Sequence, residues 1–189
     1  MPIKVAVLGI SAGGPPTLRI MLPALTIVGG ALVLVQHIPK TFSPVLYENL
    51  RRISLCPMIQ VAHATPITAG NIYYCPGGYH TRINRINGRL CACLAAPGNR
   101  DFMVPSIDQA MTSCAQTLGR RALGVVMTGM SGDGERGIRA IKAMGGRTIA
   151  QDKQSAVIFG MPRKAIETGC IDLVCNTDHI RQHVQRFLG

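Results

Sequence analysis

Three stretches of the 189-residue chain place a reactive side chain just after an apolar run. Ser11 lies in Gly9-Ile10-Ser11-Ala12-Gly13-Gly14, His37 follows Ala31 to Gln36 and precedes Ile38-Pro39, and Asp133 lies in Thr128-Gly129-Met130-Ser131-Gly132-Asp133-Gly134. A hydroxyl nucleophile, an imidazole base and a carboxylate that orients the base are the parts that acyl transfer needs. Each stretch alone has a plainer reading. The glycine turn can bind phosphate, the histidine can be a satisfied polar residue at a strand edge, and the aspartate can cap a helix. Their order along the chain is Ser, His, Asp, whereas an ordinary α/β-hydrolase runs Ser, Asp or Glu, His, so the pattern points to the same chemistry on another scaffold.

The elements that must position these residues read as strands alternating with helices. Lys4 to Leu8 reads as a buried strand, followed by the glycine turn and a helix starting near Pro15 or Pro16, where proline suits the first helical turn. Ala31 to Gln36 reads as a second strand, and Ser43 as the N-cap of a helix running to about Arg52. Ile72 to Cys75, Thr81 to Ile86 and Arg89 to Leu94 read as extended, with Asn87-Gly88 as a hairpin turn, so an antiparallel hairpin excursion is expected near residues 72–95. Alternation resumes with a helix from Ser106 to Leu118, a strand from Ala122 to Met127, a helix from Glu135 to Met144 and a strand from Arg147 to Ala150. Closing helices are expected near Pro162 to Thr168 and Asp178 to Leu188. Continuous apolar strands between helices imply an α/β fold, doubly wound, with a mostly parallel sheet covered by helices on both faces. In such sheets ligands gather beyond the carboxyl ends of the strands, which is where Ser11, His37 and Asp133 fall.

Bulk properties narrow the classes. A chain of 189 residues, 47% hydrophobic and without repeats, fits one domain spanning residues 1–189. The longest uncharged stretch, Ile20 to His37, is broken by Pro23 and Gly29-Gly30 into pieces too short to span a membrane. The start of the chain shows no separate basic, apolar and cleavage regions of a signal peptide, so a cytoplasmic location is expected. The seven cysteines show no paired metal or redox spacing and read as reduced core residues, and no metal or cofactor is expected. The formal charge of +11 favours an anionic partner, whether nucleic acid, membrane surface or acidic protein.

Taken together, the three motifs and Phe159-Gly160-Met161-Pro162 resemble the catalytic domain of the chemotaxis protein-glutamate methylesterases (CheB) over nearly the whole chain. Tyr74-Cys75-Pro76-Gly77-Gly78-Tyr79-His80 and Pro105-Ser106-Ile107-Asp108 are weaker matches that lie near the site in that family. The resemblance implies hydrolysis of glutamyl methyl esters on the methylated cytoplasmic helices of chemoreceptors, with release of methanol, and deamidation of receptor glutamines by the same acyl chemistry. It makes Ser11 the nucleophile, His37 the general base, Asp133 its orienting partner and the backbone N–H of Met130 the oxyanion donor. His80 and Asp108 become candidate substrate-binding residues, although a strand-start histidine and a first-turn aspartate also suit structural roles. Ala12 departs from the family, in which a hydroxyl residue commonly follows the nucleophile. Regulated members also carry an N-terminal receiver domain; none precedes the first strand here, so the expected site is uncovered.

Two other readings remain open at this point. One is a serine esterase or amidase acting on another substrate. The other is a nucleotide- or nucleic-acid-binding regulator that uses Gly9 to Gly14 for phosphate; against it, no acidic ribose-binding residue stands in Val33-Leu34-Val35-Gln36 and aromatics are only 4% of the chain.

Overall fold

In the computed structural model, which describes residues 2–99 and 101–189, strand and helix alternate from the start. The first half comprises β1 (Val5–Ile10), α1 (Gly14–Met21), β2 (Ala31–Gln36), α2 (Ser43–Ile53), β3 (Met58–Gln60), β4 (Ala64–Pro66), β5 (Ile72–Tyr74), β6 (His80–Ile86) and β7 (Arg89–Ala95). The second half comprises α3 (Ile107–Leu118), β8 (Ala122–Val126), α4 (Glu135–Ala143), β9 (Arg147–Gln151), α5 (Gly160–Glu167), β10 (Leu173–Cys175) and α6 (Thr177–Leu188).

The main sheet has the strand order β10-β9-β8-β1-β2-β5-β3, and every neighbouring pair is parallel. Every residue of β1, β2 and β8 is buried, which is why these strands are continuous apolar runs and not alternating ones. Successive side chains point to opposite faces. Val5 and Val7 therefore join Ile107, Met111 and Ile138 beneath α3 and α4, while Ala6 and Leu8 join Leu18, Leu50 and Val184 beneath α1, α2 and α6. From β1 the chain winds outward to β2, and later returns through β8 to the opposite side of β1. That reversal opens a crevice beyond the carboxyl ends of the central strands.

A second sheet, β4-β7-β6, is antiparallel. Its hairpin turns at Asn87 and Gly88, both with positive φ (48° and 79°), the geometry that makes Asn-Gly a strong hairpin signal. The free edge of β6 is closed by α3: Ile83 N–H donates to Ser113 Oγ at 2.9 Å, and Thr117 Oγ1 donates to Ile83 O at 2.8 Å.

Two details differ from the sequence expectation. Ile72–Tyr74, grouped there with the hairpin, pairs in parallel between β2 and β3, and the hairpin's third strand is Ala64–Pro66. Ser43 is the first residue of α2 and not its cap; its hydroxyl points inward, accepting from Gly77 N–H at 2.8 Å and meeting the Tyr74 hydroxyl at 3.1 Å. Among the described residues no helix is long and apolar enough to cross a membrane, and all seven cysteines are free.

Candidate active site

Strand register brings the first two reactive side chains together. β1 and β2 pair in parallel with Ile10 opposite Gln36, so Ser11 and His37 each follow a paired strand end by one residue, and His37 N–H donates to Ile10 O at 3.0 Å. The Ser11 backbone is held from three directions. Its N–H donates to Thr128 O at 2.9 Å, and its carbonyl accepts from Gly14 N–H at 2.8 Å and from Gln36 Nε2 at 3.0 Å. Gln36 Nε2 also donates to His37 O at 2.9 Å, so one buried amide locks the serine and histidine turns to each other.

β8 reaches the same place because of Gly129. A Cβ at Gly129 would stand 2.7 Å from Ser11 Cβ and 2.1 Å from Met161 Sδ, so only glycine allows this approach. Thr128 secures it sideways, its hydroxyl donating to Ala12 O at 2.8 Å and accepting from Ile158 N–H at 2.9 Å.

Asp133 follows in the β8–α4 turn and meets His37 Nε2 at 2.8 Å, both side chains being nearly buried. A buried carboxylate needs its lone pairs filled. Oδ2 also accepts from Ile107 N–H at 2.6 Å, and Oδ1 accepts from Asp108 N–H at 2.8 Å and the Ser106 hydroxyl at 3.1 Å. Asp133 thus sits on the N-terminus of α3, where unpaired N–H groups and the helix dipole favour a negative charge. Burial pushes its carboxyl upward, but the His37 bond and the Asp108 and Ile107 N–H groups outweigh burial and hold it below the ordinary carboxylate value.

With Nε2 donating to an ionised Asp133, the proton of a neutral His37 ring resides on Nε2 and the lone pair on Nδ1. Nδ1 is buried and, among the described residues, has no hydrogen-bond partner. Ser11 Oγ is likewise unpartnered among them. The Met130 N–H, in the turn between Gly129 and Asp133, donates to no acceptor among the described residues. The arrangement has the parts for proton transfer from Ser11 to Nδ1 and for stabilising an oxyanion.

The other two candidates are committed within the protein. His80, 1% exposed, meets Asp101 Oδ2 at 2.9 Å through Nε2 and accepts Ser106 N–H at 3.1 Å on Nδ1. Asp108 accepts Gly134 and Gly137 N–H on Oδ1 at 2.9 and 2.7 Å and Arg136 Nε on Oδ2 at 3.0 Å. Through these bonds His80 holds the α3 start and Asp108 the β8–α4 turn, and both line the pocket beside Asp133. The supporting roles of Gln36, Ser106, Thr128 and Gln151, whose Oε1 accepts from Thr128 N–H at 2.8 Å, were not assigned from sequence. A buried polar residue closing an apolar strand, as at Gln36 and Gln151, is the signal that marks two of them.

The glycine turn is not built for phosphate. Pro15 and Pro16 remove two N–H groups from the first turn of α1, and those of Gly14 and Thr17 are taken by Ser11 O and Gly13 O. Among the described residues no group of three or more His, Cys, Asp and Glu side chains is placed to hold a metal ion.

Comparison with known proteins bears on the family and the fold. The sequence model of a family described as CheB methylesterase matches residues 6–184. The protein-glutamate methylesterase/protein-glutamine glutaminase 3 of Geobacter sulfurreducens is 39% identical over 186 residues, covering 97% of this chain and 50% of that protein. A protein of the same description from Pyrococcus abyssi is 36% identical over 188 residues, covering 98% and 51%. The chain thus spans about half the length of the curated relatives it matches. Among solved structures, the CheB methylesterase catalytic domain of Thermotoga maritima superposes with a TM-score of 0.93 at 29% identity, covering 98% of this chain and 99% of that one.

Proposed function

Because the chain belongs to the CheB methylesterase family, we propose that it hydrolyses methyl esters of glutamyl side chains on the cytoplasmic helices of chemoreceptors, with Ser11 as nucleophile. The observation that carries this reading is His37 Nε2 at 2.8 Å from Asp133, with Ser11 and His37 each one residue beyond the paired strand ends Ile10 and Gln36.

The reaction follows from the bonds each group has left. Ser11 Oγ attacks the ester carbonyl as its proton passes to His37 Nδ1, and Asp133 stabilises the resulting imidazolium through Nε2. The Met130 N–H holds the oxyanion, a contribution of about 3 kcal/mol in comparable sites. Collapse breaks the bond to the methoxy oxygen, which takes the Nδ1 proton and leaves as methanol. Water then attacks the acyl-serine with His37 again as base, releasing the glutamate carboxylate and regenerating Ser11. A primary amide in place of the ester leaves as ammonia by the same steps, which is glutamine deamidation. No cofactor enters the scheme. His80 and Asp108 act through position, one at each side of the Asp133 turn. A receptor-directed enzyme of this kind works in the cytoplasm and needs no nucleic acid partner.

The test is methanol release from a methyl-esterified chemoreceptor cytoplasmic fragment. Release by the wild-type protein that Ser11→Ala lowers by several orders of magnitude, as about 10⁴- to 10⁶-fold losses follow removal of a triad nucleophile, supports the reading. No release from that fragment, with turnover of simple esters intact, would assign the site to another ester.

A further inference from the structure

A trough of about 550 Å³ lies between α3 and α4. It neighbours the pocket beside Asp133, and Asp108, Gln109 and Arg136 line both. Two guanidinium groups flank it, Arg82 from β6 and Arg136 from α4, and Thr112 and Gln116 of α3 form part of its floor.

Both arginines are held in place. The Arg136 side chain is 83% exposed, yet its Nε is fixed 3.0 Å from Oδ2 of the nearly buried Asp108. Arg82 donates through Nε and Nη2 to Gln109 Oε1 at 3.0 and 2.8 Å. Groups already ordered lose less freedom when they bind. After these bonds Nη1 and Nη2 of Arg136 and Nη1 of Arg82 have no partner among the described residues. Arg82 grips a neutral amide and, among the described residues, joins no ion pair. The neighbouring carboxylates bond elsewhere: Asp108 to Gly134, Gly137 and Arg136, Asp133 to His37 and the α3 start, and Asp101 through Oδ2 to His80 and Gly98, although Asp101 still feels the charge of Arg82.

We infer that this trough is a subsite for a carboxylate on the substrate, supplied by an acidic side chain one or two helical turns from the scissile ester. The inference rests on the esterase reading and adds what the enzyme reads around the ester. Guanidinium forks match carboxylates in geometry and charge, and residues three, four and seven apart share one face of a substrate helix. Because hydrolysis turns an ester into a carboxylate, the product of one event becomes the anchor for the next, and neighbouring sites promote each other's hydrolysis.

The test uses two helical peptides, each with one γ-methyl glutamyl ester, with either Glu or Gln four and seven residues away. The wild-type protein should turn over the Glu peptide with a kcat/KM higher by about fivefold, the factor that goes with a solvent-flanked ion pair, and the difference should lie in KM. The double substitution Arg82→Gln/Arg136→Gln should bring the ratio towards one. Thr112→Glu, which keeps both arginines and sets a carboxylate beneath them, should do the same without disturbing the Asp108 clamp. Equal turnover of both peptides by the wild type, or a preference that survives Thr112→Glu, overturns the subsite and leaves the esterase reading standing. Hydrolysis of neither peptide overturns both.

Discussion

Asp108 and Asp133 cap each other's helices. Asp133, in the turn leading to α4, accepts the Ile107 and Asp108 N–H groups that open α3, while Asp108 on α3 accepts the Gly134 and Gly137 N–H groups that open α4. The orphan donors of two helix starts are thereby satisfied by carboxylates placed on the opposite helix or its approach. The carboxylate that faces His37 is consequently held by the packing of α3 against α4, not by a free loop.

Replacing Asp108 tests this brace. Asp108→Ala leaves two buried N–H groups unpaired and should cost about 2–3 kcal/mol in urea denaturation. It should also lower kcat by about tenfold or more with little change in KM, since loosening Asp133 misplaces the base without removing a substrate contact. A loss confined to KM would assign Asp108 to substrate binding.

The Asp133 carboxyl supplies a pH signature. Its folded-state value lies below the ordinary 3.8, so its interactions add stability above that value, and the contribution is lost as pH falls through the depressed folded-state value. The stability advantage of the wild type over Asp133→Asn should be full at neutral pH and shrink in acid below 3.8. Paired acid titrations of unfolding would show it; an advantage that grew in acid would contradict the assignment.

Gly129 should tolerate no side chain. The Cβ of Gly129→Ala meets the flexible Met161 sulfur and the less yielding Cβ of Ser11. We expect a folded protein with activity reduced by about 100-fold, the effect of displacing a reacting group by about 1 Å. Circular dichroism with ester turnover would separate this from unfolding.

The His37 ring should be the Nε2–H tautomer when neutral, with Nδ1 pyridine-like, because Nε2 is the nitrogen that meets Asp133. Nitrogen-15 NMR of labelled protein reads this directly. A protonated Nδ1 in the neutral ring would reverse the roles assigned to the two nitrogens.

The candidate site stood out in sequence because Ser11 and His37 follow apolar runs read as buried strands and Asp133 lies in the glycine-rich turn after a third, and strand ends converge in a doubly wound sheet. Asn87-Gly88 was legible because its backbone demands positive φ. The three-residue strands were not: Ile72–Tyr74 has too few residues to show a period, and its place between β2 and β3 is set by tertiary packing. Ser43 looked like a cap because local hydrogen bonding is the common fate of a serine before a helix, yet Gly77 and Tyr74, more than 30 residues away, claim its hydroxyl. His80 and Asp108 were read as either substrate-binding or structural because sequence shows a polar residue near a site but not the hydrogen bonds it makes within the protein.

The central claim is that Ser11 is a nucleophile activated by His37, and the most direct measurement is fluorophosphonate labelling located by mass spectrometry. A single adduct on Ser11, absent in Ser11→Ala and formed at least about 100-fold more slowly in His37→Ala, is the predicted result. No adduct, or an adduct on another residue at an undiminished rate in Ser11→Ala, would contradict it.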